Sequence, residues 1–259
     1  MGSQKLKIVI KIGSRQLNTP KNQLDLKNLK ALTSQIAKLQ HQGHRIVLVS
    51  SGAILCGSEI FGGRNKVKTL PEKQAAASIG QVSLMEKYAQ FFKKTKISIG
   101  QILLTSDEIK NGAKKKNALQ TLHQLINLKV IPIINENDSV TTEEIQFGDN
   151  DILSAHVTEL IGANLLIILS DVEGLYTANP KKDPDAKVIN LVSKVTPQIK
   201  KIATGETSHG GRGGFSSKIK AVEMLSRKKI SVVVANGRRK NVLVDIVAGK
   251  NVGTRFLNK

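Results

Sequence analysis

The alternation of short apolar segments with longer amphipathic ones limits most strongly how this chain can fold. Apolar runs rich in β-branched residues occur at positions 7–12, 45–49, 97–104, 130–134, 164–169 and 230–235. The intervening segments 71–94, 113–128, 151–163 and 216–228 have the composition of helices. Nearly continuous apolar strands separated by amphipathic helices are typical of a mostly parallel sheet that is covered on both faces. The sequence therefore predicts an α/β fold.

The segment between the first two predicted strands carries clear helix signals. Asp25 is suited to cap the start of a helix, and Gly43 lies where that helix is expected to end. Between them, leucine and isoleucine recur at spacings of three and four residues, which places them on one face. We predict an amphipathic helix here.

Length and composition are those of an ordinary globular protein. With 259 residues, 40% of them hydrophobic, the chain can bury a large core. Cys56 is the only cysteine, so no disulfide can form within the chain, which suits a reducing compartment. The sequence contains neither an apolar run long enough to span a membrane nor a signal-peptide pattern. We expect a cytoplasmic protein outside the membrane.

The formal net charge of +20 has two competing interpretations. A basic surface can bind nucleic acid through its phosphates, or it can attract small anionic substrates. The lysine and arginine clusters at 93–96, 114–116 and 227–229 lie in different segments rather than in one stripe. Two Tyr, six Phe and no Trp supply few stacking surfaces for single-stranded nucleic acid. We predict that these charges are mostly solvated and that no specific nucleic acid is bound.

Small and polar residues collect at the ends of four predicted strands. The four segments are Lys11-Ile12-Gly13-Ser14, Ser50-Ser51-Gly52-Ala53, Asn135-Glu136-Asn137-Asp138 and Ser170-Asp171. The carboxyl ends of parallel strands lie at one edge of a sheet, where their loops converge on a crevice. Glycines there let backbone amides approach a phosphate closely. We predict that the crevice binds a phosphate-containing ligand.

Two common phosphate sites are excluded by the sequence. It lacks the G-x-x-x-x-G-K-[ST] pattern of a P-loop, and its glycine-rich segment 210–214 follows no strand, unlike a Rossmann fingerprint. That segment leads instead into Phe215-Ser216-Ser217-Lys218, which puts Lys218 in the first turn of a helix. A lysine there is well placed to meet an anion. No histidine or cysteine cluster has the spacing of metal ligands, and no Ser-His-Asp set stands out.

Five segments together resemble the amino acid kinase family. They are KIGS at 11–14, VSSGAI at 49–54, INEND at 134–138, GDND at 148–151 and SDVEGLY at 170–176. The pair NEND and FGDND is quite specific to the branch that phosphorylates glutamate, whereas the glycine turn and SDVEGLY are shared more widely. The resemblance spans nearly the whole chain.

This resemblance implies an αβα sandwich with a mostly parallel central sheet, which is the amino acid kinase fold. It also implies ATP-dependent phosphorylation of the γ-carboxylate of L-glutamate, the first step of proline biosynthesis. Glutamate and ATP would be the small-molecule partners, with Mg²⁺ bound together with the nucleotide and no metal site made by the protein alone. We expect a homo-oligomer.

The resemblance also assigns roles to individual residues. Lys11 and Lys218 match the two lysines that neutralise the transferring phosphoryl group, and Asp151 matches the aspartate that holds them. The glutamate-binding positions are Ser51, Asn135, Asp138 and Asn150, of which Asp138 suits the substrate ammonium. The nucleotide site would comprise Lys11, Ser170, Asp171, Arg212, Gly213, Gly214, Phe215, Ser216, Ser217 and Lys218.

The family pattern also suggests how the chain is divided. We expect one kinase domain over residues 1–259, with glutamate bound by about residues 1–160 and ATP by about residues 161–259. Longer members continue into a PUA domain, and we expect this chain to be the short form without it. Arg15, Arg212 and Phe215 depart from the residues that are commoner in the family, which leaves the nucleotide contacts open.

Two alternatives stay open. Another kinase of the same family, such as an acetylglutamate kinase, would also use two lysines and an aspartate. Asp138 favours a free ammonium, because acetylation removes the charge with which its carboxylate would pair. The second alternative is an inactive domain reused as a basic RNA-binding module, and the presence of Lys11, Asp151 and Lys218 argues against it.

Overall fold

A computed structural model describes residues 4–141, 150–180, 183–204 and 215–257. The strands are β1 (Lys7–Ile12), β2 (Arg45–Val49), β3 (Ile99–Leu104), β4 (Ile131–Glu136), β5 (Leu165–Ser170), β6 (Leu191–Val192), β7 (Ser231–Asn236) and β8 (Thr254–Phe256). The α-helices are α1 (Leu26–His41), α2 (Ala53–Gly57), α3 (Leu70–Lys93), α4 (Ser106–Lys110), α5 (Gly112–Asn127), α6 (Asn150–Leu160), α7 (Pro197–Thr204), α8 (Phe215–Ser226) and α9 (Val242–Val247).

These strands form one sheet in the order β3-β4-β2-β1-β5-β7-β8-β6. All neighbouring pairs are parallel except β7 and β8, which are antiparallel. The prediction of a mostly parallel sheet is therefore confirmed. Strands from residues 1–160 make up one half of the sheet and strands from residues 161–259 the other, so β1 and β5 meet at the boundary.

Helices cover both faces of this sheet, as the α/β prediction requires. Side chains alternate along a strand, so Ile8, Ile10 and Ile12 of β1 face one way and Val9 faces the other. The isoleucines belong to a core that also contains residues of α1, α3 and α9. Val9 belongs to a second core with residues of α5, α6 and α8. The result is the αβα sandwich that was expected.

Helix α1 begins and ends as its sequence signals predict. The side chain of Asp25 caps it by accepting a hydrogen bond from the backbone N–H of Asn28 at 2.9 Å. The helix ends at His41, and Gly43 takes a left-handed conformation with φ of 90° shortly after.

Three strands extend further than their apolar runs indicate. Strand β4 includes Asn135 and Glu136, β5 ends at Ser170 and β7 at Asn236. Asn135 is buried and hydrogen-bonded through its side chain, so a polar residue can continue the strand without an unsatisfied group. The sequence also did not predict the short elements α2, α4, α7, β6 and β8.

Helix α3 crosses α2 at two glycines. A Cβ atom at Gly80 would lie 1.8 Å from the carbonyl oxygen of Ala53, and one at Gly57 would lie 1.8 Å from that of Ala76. Both distances are far inside van der Waals contact with backbone atoms that cannot move alone. Because α2 begins directly after Ser51 and Gly52, this crossing also fixes the loop at the end of β2.

Replacing Gly80 with alanine is expected to lower the free energy of unfolding by about 3 kcal/mol, since the methyl group forces the two helices apart. Gly112→Ala is the matched control, because a Cβ atom at Gly112 in α5 meets nothing within 4 Å. That control should be neutral or slightly stabilising. Urea unfolding of both variants tests the prediction, and equal stabilities would contradict the proposed crossing.

None of the helices within the described ranges is both long and apolar enough to cross a membrane.

Candidate active site

The predicted site residues that the structure describes converge at one edge of the sheet. Strands β4, β2, β1 and β5 are consecutive neighbours and run parallel, so their carboxyl ends lie side by side. Asn135, Ser51, Lys11 and Ser170 lie at or next to these ends. Their loops therefore form the crevice that the sequence predicts.

Two lysines and one aspartate form a buried group in this crevice, which we call the charged triad (Lys11, Asp151 and Lys218). Lys11 Nζ lies 2.6 Å from Asp151 Oδ1, and Lys218 Nζ lies 3.0 Å from Asp151 Oδ2. Asp151 is fully buried, and the lysines are 5% and 7% exposed. The three side chains thus come together although they are up to 207 residues apart in sequence (218 − 11).

The triad follows from strand alternation and helix order. Lys11 and Val9 are two residues apart on β1, so both side chains point to the face that α6 and α8 cover. Asp151 lies in the first turn of α6, and Lys218 lies in the first turn of α8. The two helices pack against each other, which brings the carboxylate between both ammonium groups.

The electrostatics of the triad keep Asp151 ionised. Burial alone would raise the pKa of this carboxyl group, but Lys11 and Lys218 outweigh that effect and hold the pKa well below its ordinary value. The hydroxyl of Ser217 donates a further hydrogen bond to Asp151 Oδ2 at 2.7 Å. Two ammonium groups and one carboxylate leave one net positive charge, which is suited to an anionic ligand.

Asn150 joins the ends of two strands beside the triad. Its Nδ2 donates to the carbonyl oxygen of Ser50 at 2.6 Å, to Ser51 Oγ at 2.9 Å and to Asn135 Oδ1 at 3.0 Å. Its Oδ1 is buried and has no partner among the described residues. The predicted residues Ser51, Asn135 and Asn150 therefore form one polar cluster with an acceptor available for a ligand.

Asp138 lies half-buried at a cavity of about 260 Å³ next to this cluster. Gln81 and Glu136 also line the cavity, and Gln81 Oε1 accepts a hydrogen bond from Asn135 Nδ2 at 3.0 Å. Burial, followed by the nearby Glu136 carboxylate, raises the pKa of Asp138 to about 6. A carboxylate in such surroundings gains from a cationic ligand group, because the cation restores its charged form.

The opposite side of the triad contains the predicted nucleotide residues of β5 and α8. Ser170 Oγ donates to Asp171 Oδ1 at 3.3 Å, and Arg15 Nη1 lies 2.6 Å from Asp171 Oδ2. Phe215 and Ser216 are half-buried at the start of α8. Arg212, Gly213 and Gly214 lie outside the described residues, as does the Gly148-Asp149 part of the GDND motif.

Some contacts in the crevice were not indicated by the sequence. Gln81 bonds Asn135 from α3, and no local motif marks a helix residue 54 positions away as part of a site. Ser217, a predicted nucleotide-site residue, also donates its hydroxyl to Asp151, a contact that no sequence motif indicates. The sequence marks Arg15 only as a departure from the family pattern, and its ion pair with Asp171 is visible only in the folded structure.

The described residues contain no group of three or more His, Cys, Asp or Glu side chains that could hold a metal ion. The crevice instead offers two lysines close to a single carboxylate. These residues suit phosphate groups better than a bare divalent cation.

Comparison with known proteins gives one family and a consistent set of relatives. The model of the amino acid kinase family matches residues 7–236. A glutamate 5-kinase of Clostridium tetani is 43% identical over 249 residues, which cover 96% of this chain and 93% of that protein. A glutamate 5-kinase of Clostridium acetobutylicum is 42% identical, with 98% of this chain and 95% of that protein covered. The glutamate 5-kinase of Pelobacter propionicus is 41% identical over 97% of this chain and 67% of its own length.

Solved structures with the same fold are more distant in sequence. Carbamate kinase from Giardia lamblia, bound to AMP-PNP, superposes with a TM-score of 0.71 at 16% identity, covering 98% of this chain and 99% of that one. UMP kinase from Ureaplasma parvum gives a TM-score of 0.68 at 15% identity with the same coverage. These two likenesses establish the fold alone. Taken with the family match and the relatives above 40% identity, they place the chain in the amino acid kinase family, among the glutamate 5-kinases.

Proposed function

We propose that this chain transfers the γ-phosphoryl group of ATP to the side-chain carboxylate of L-glutamate. The products are L-glutamyl 5-phosphate and ADP, and the reaction is the first step of proline biosynthesis. The observation that carries the proposal is the buried charged triad, which lies beside the Ser51, Asn135 and Asn150 cluster. The relatives named as glutamate 5-kinases support the choice of substrate.

Phosphoryl transfer needs positioning and charge stabilisation more than covalent help from the protein. In the reaction, a glutamate γ-carboxylate oxygen forms a bond to the γ-phosphorus while the bond from that phosphorus to the β,γ-bridging oxygen breaks. The ammonium groups of Lys11 and Lys218 stabilise the negative charge on the phosphoryl oxygens. Asp151 holds both ammonium groups at fixed positions through contacts of 2.6 and 3.0 Å. Such preorganised charges avoid reorganisation during the reaction.

Mg²⁺ would enter with the nucleotide and would neutralise part of the negative charge on its phosphates. The protein's own contribution is then the two lysines and the residues that orient them. Ser217 belongs to this second group, because its hydroxyl fixes Asp151 Oδ2 at 2.7 Å.

We assign glutamate to the half of the crevice built by residues 1–160. The substrate ammonium would be accepted by Asn150 Oδ1, which has no partner within the described ranges, and by the carboxylate of Asp138. We assign ATP to the half built by residues 161–259, where Ser170, Asp171 and the first turn of α8 lie. Since β1 stands at the boundary of the two halves, Lys11 lies where the two substrates would meet.

A substrate panel tests the function directly. ADP formation is measured with purified protein, ATP and Mg²⁺, and with glutamate, N-acetylglutamate or carbamate as acceptor. We expect turnover with glutamate and almost none with the other two. An N-acetylated substrate cannot pair with Asp138 and leaves its carboxylate without a cation. Preference for N-acetylglutamate would favour the acetylglutamate kinase alternative, and no turnover with any acceptor would contradict a kinase.

Asp138→Asn is expected to raise the KM for glutamate at least about tenfold and to leave the KM for ATP unchanged, because a charge-assisted contact to the ammonium is lost. The pKa of Asp138 is raised to about 6, so its ionised fraction grows as the pH rises through that value. The KM for glutamate of the unmodified protein should therefore fall between pH 5 and pH 7, and the variant should lose this dependence. Steady-state kinetics across this range provide the test.

Asp245→Asn serves as the control, because Asp245 lies in α9, pairs with Lys250 beyond the end of that helix and has no predicted role in the site. It should leave both KM values and their pH profiles unchanged. Equal increases in the two KM values of Asp138→Asn would refute the placement of Asp138 on the substrate ammonium.

We also propose that the chain acts in the cytoplasm as a homo-oligomer, with small molecules rather than nucleic acid as its ligands. The +20 charge is then a dispersed surface property. Weak attraction to any polyanion is expected at low salt and should vanish near physiological ionic strength. Light scattering coupled to size-exclusion chromatography measures the oligomeric state.

A further inference from the structure

We propose that Arg15 is a nucleotide-binding residue, which exchanges the carboxylate of Asp171 for the polyphosphate of the bound nucleotide. This inference rests on the proposed function, because it takes the β5 side of the crevice as the ATP site. It concerns a residue that stands out in this sequence as a departure from its family.

The backbone of Arg15 is fixed at the mouth of the crevice. Arg15 lies in a 3₁₀ turn, Ser14–Gln16, that begins two residues after β1 ends. The N–H of Gln16 donates to the Gly13 carbonyl at 2.9 Å, and the N–H of Leu17 donates to the Ser14 carbonyl at 3.1 Å. Gln16 and Leu17 are fully buried, so the residues that follow Arg15 anchor the turn in the protein interior.

Arg238, in the loop after β7, braces the same turn. Its guanidinium donates to the carbonyl oxygens of Arg15 at 3.3 Å and of Asn18 at 2.9 Å. It also forms an ion pair with Asp25 at 2.6 Å, and Asp25 caps helix α1. Arg238 thereby ties the turn that carries Arg15 to the start of helix α1.

The side chain of Arg15 is far less constrained than its backbone. It is 51% exposed, and its described ion-pair partner is Asp171, whose side chain is 38% exposed. Exposed ion pairs contribute little to stability, because water screens them and both side chains lose freedom. Arg15 can therefore leave Asp171 for another anion at a small cost in free energy. Before a nucleotide binds, Asp171 holds the Arg15 side chain at the crevice.

Arg15 reaches the adjoining ends of β1 and β5, where we place the polyphosphate that Lys11 would hold. Gly13, two residues after Lys11, donates its N–H to the carbonyl of Leu169 at 3.3 Å, so the β1 loop lies against the end of β5. Asp171 directly follows β5, which ends at Ser170. A guanidinium there can bind two phosphate oxygens at once and meets a larger negative charge than one carboxylate offers.

Binding of a nucleotide series tests this exchange. Isothermal titration calorimetry without glutamate gives the Kd values of adenosine, AMP, ADP and Mg·ATP for the unmodified protein and for Arg15→Gln. We expect ATP binding to weaken about tenfold, ADP binding to weaken less, and adenosine binding to stay unchanged, since only the phosphates meet Arg15. The KM for ATP should rise while that for glutamate stays constant. Arg15→Lys should recover part of the loss because it keeps the charge.

The matched control is Arg45→Gln, which removes the same charge from the exposed first residue of β2, at the opposite edge of the sheet. It should leave all Kd values unchanged. Equal weakening of adenosine and ATP binding by Arg15→Gln, or no weakening at all, would overturn the proposal. If the glutamine variant is unstable, Arg15→Lys decides instead: a smaller weakening of ATP binding with unchanged adenosine binding supports the proposal, and equal or no weakening overturns it. Failure of the unmodified protein to phosphorylate glutamate would contradict the proposed function but not the role of Arg15, because the nucleotide-binding series does not depend on the acceptor.

Discussion

Replacing Asp151 with asparagine is expected to reduce kcat on the order of a thousandfold and to destabilise the fold by about 3–5 kcal/mol. The carboxylate is fully buried between Lys11 and Lys218, which are themselves nearly inaccessible to water. Without it, two buried ammonium groups repel each other with no counter-charge. Both lysines then leave the positions at which they stabilise the phosphoryl group.

The measurements are steady-state kinetics and urea unfolding, with Asp107→Asn as the control at an exposed aspartate. The control should change neither quantity. Normal stability together with normal kcat in Asp151→Asn would contradict a role of the charged triad in the mechanism.

Asp151 also predicts how stability depends on pH. Its pKa is lowered in the folded protein from an ordinary value of 3.8, so the unfolded chain binds this proton more readily. The contribution of ionised Asp151 to the free energy of unfolding is therefore complete at pH values above the unfolded pKa. It is lost as the pH falls towards the lower pKa of the folded protein. Unfolding measured from pH 6 down to pH 3 should show this acid-dependent loss in the unmodified protein and a smaller loss in Asp151→Asn.

Lys218→Ala is expected to lower kcat at least about a hundredfold while the protein stays folded. Losing one major electrostatic stabiliser has an effect of this size. Asp151 retains Lys11 at 2.6 Å and Ser217 at 2.7 Å, so its buried carboxylate still has an ion-pair partner and a hydrogen-bond donor. Rapid-mixing kinetics separate the transfer step from product release, and the loss should appear in transfer.

Lys220→Ala is the matched control, because Lys220 lies on the same helix only two residues away but is exposed. It removes an equal charge and an equal side chain from α8. Near-normal kcat in Lys218→Ala, or an equal loss in both variants, would contradict the role of Lys218.

The fold could be predicted wherever the local sequence carries enough information. Long apolar runs and amphipathic helices identified β1, β2, β5 and the major helices, because burial on both faces demands those patterns. Strand β8 has three residues and forms against β7 in the antiparallel direction, which only the completed sheet determines. Helix α2 has five residues and depends on its contact with Gly80. Short elements of this kind depend on tertiary contacts more than on propensity.

The candidate site likewise contains residues that the sequence indicates and contacts that only the tertiary structure determines. Strand ends, glycines and family motifs indicated Lys11, Asp151 and Lys218. Strand alternation turns Lys11 towards α6 and α8, and the packing of these two helices explains why the three side chains meet. The contact between Gln81 and Asn135 joins residues 54 positions apart and has no sequence signal of its own. The pairing of Arg15 with Asp171 depends on how two loops lie against each other, and sequence indicated only that Arg15 was unusual.

Trapping of the acyl phosphate tests the central claim most directly. Purified protein is incubated with Mg·ATP, L-glutamate and hydroxylamine, and the glutamyl hydroxamate formed is measured beside ADP, for the unmodified chain, Lys218→Ala and Lys220→Ala. We expect one hydroxamate for each ADP in the unmodified chain and in Lys220→Ala, and at least about a hundredfold less of both in Lys218→Ala. ADP without hydroxamate, or hydroxamate formed at a normal rate by Lys218→Ala, would contradict transfer to the glutamate carboxylate by the charged triad.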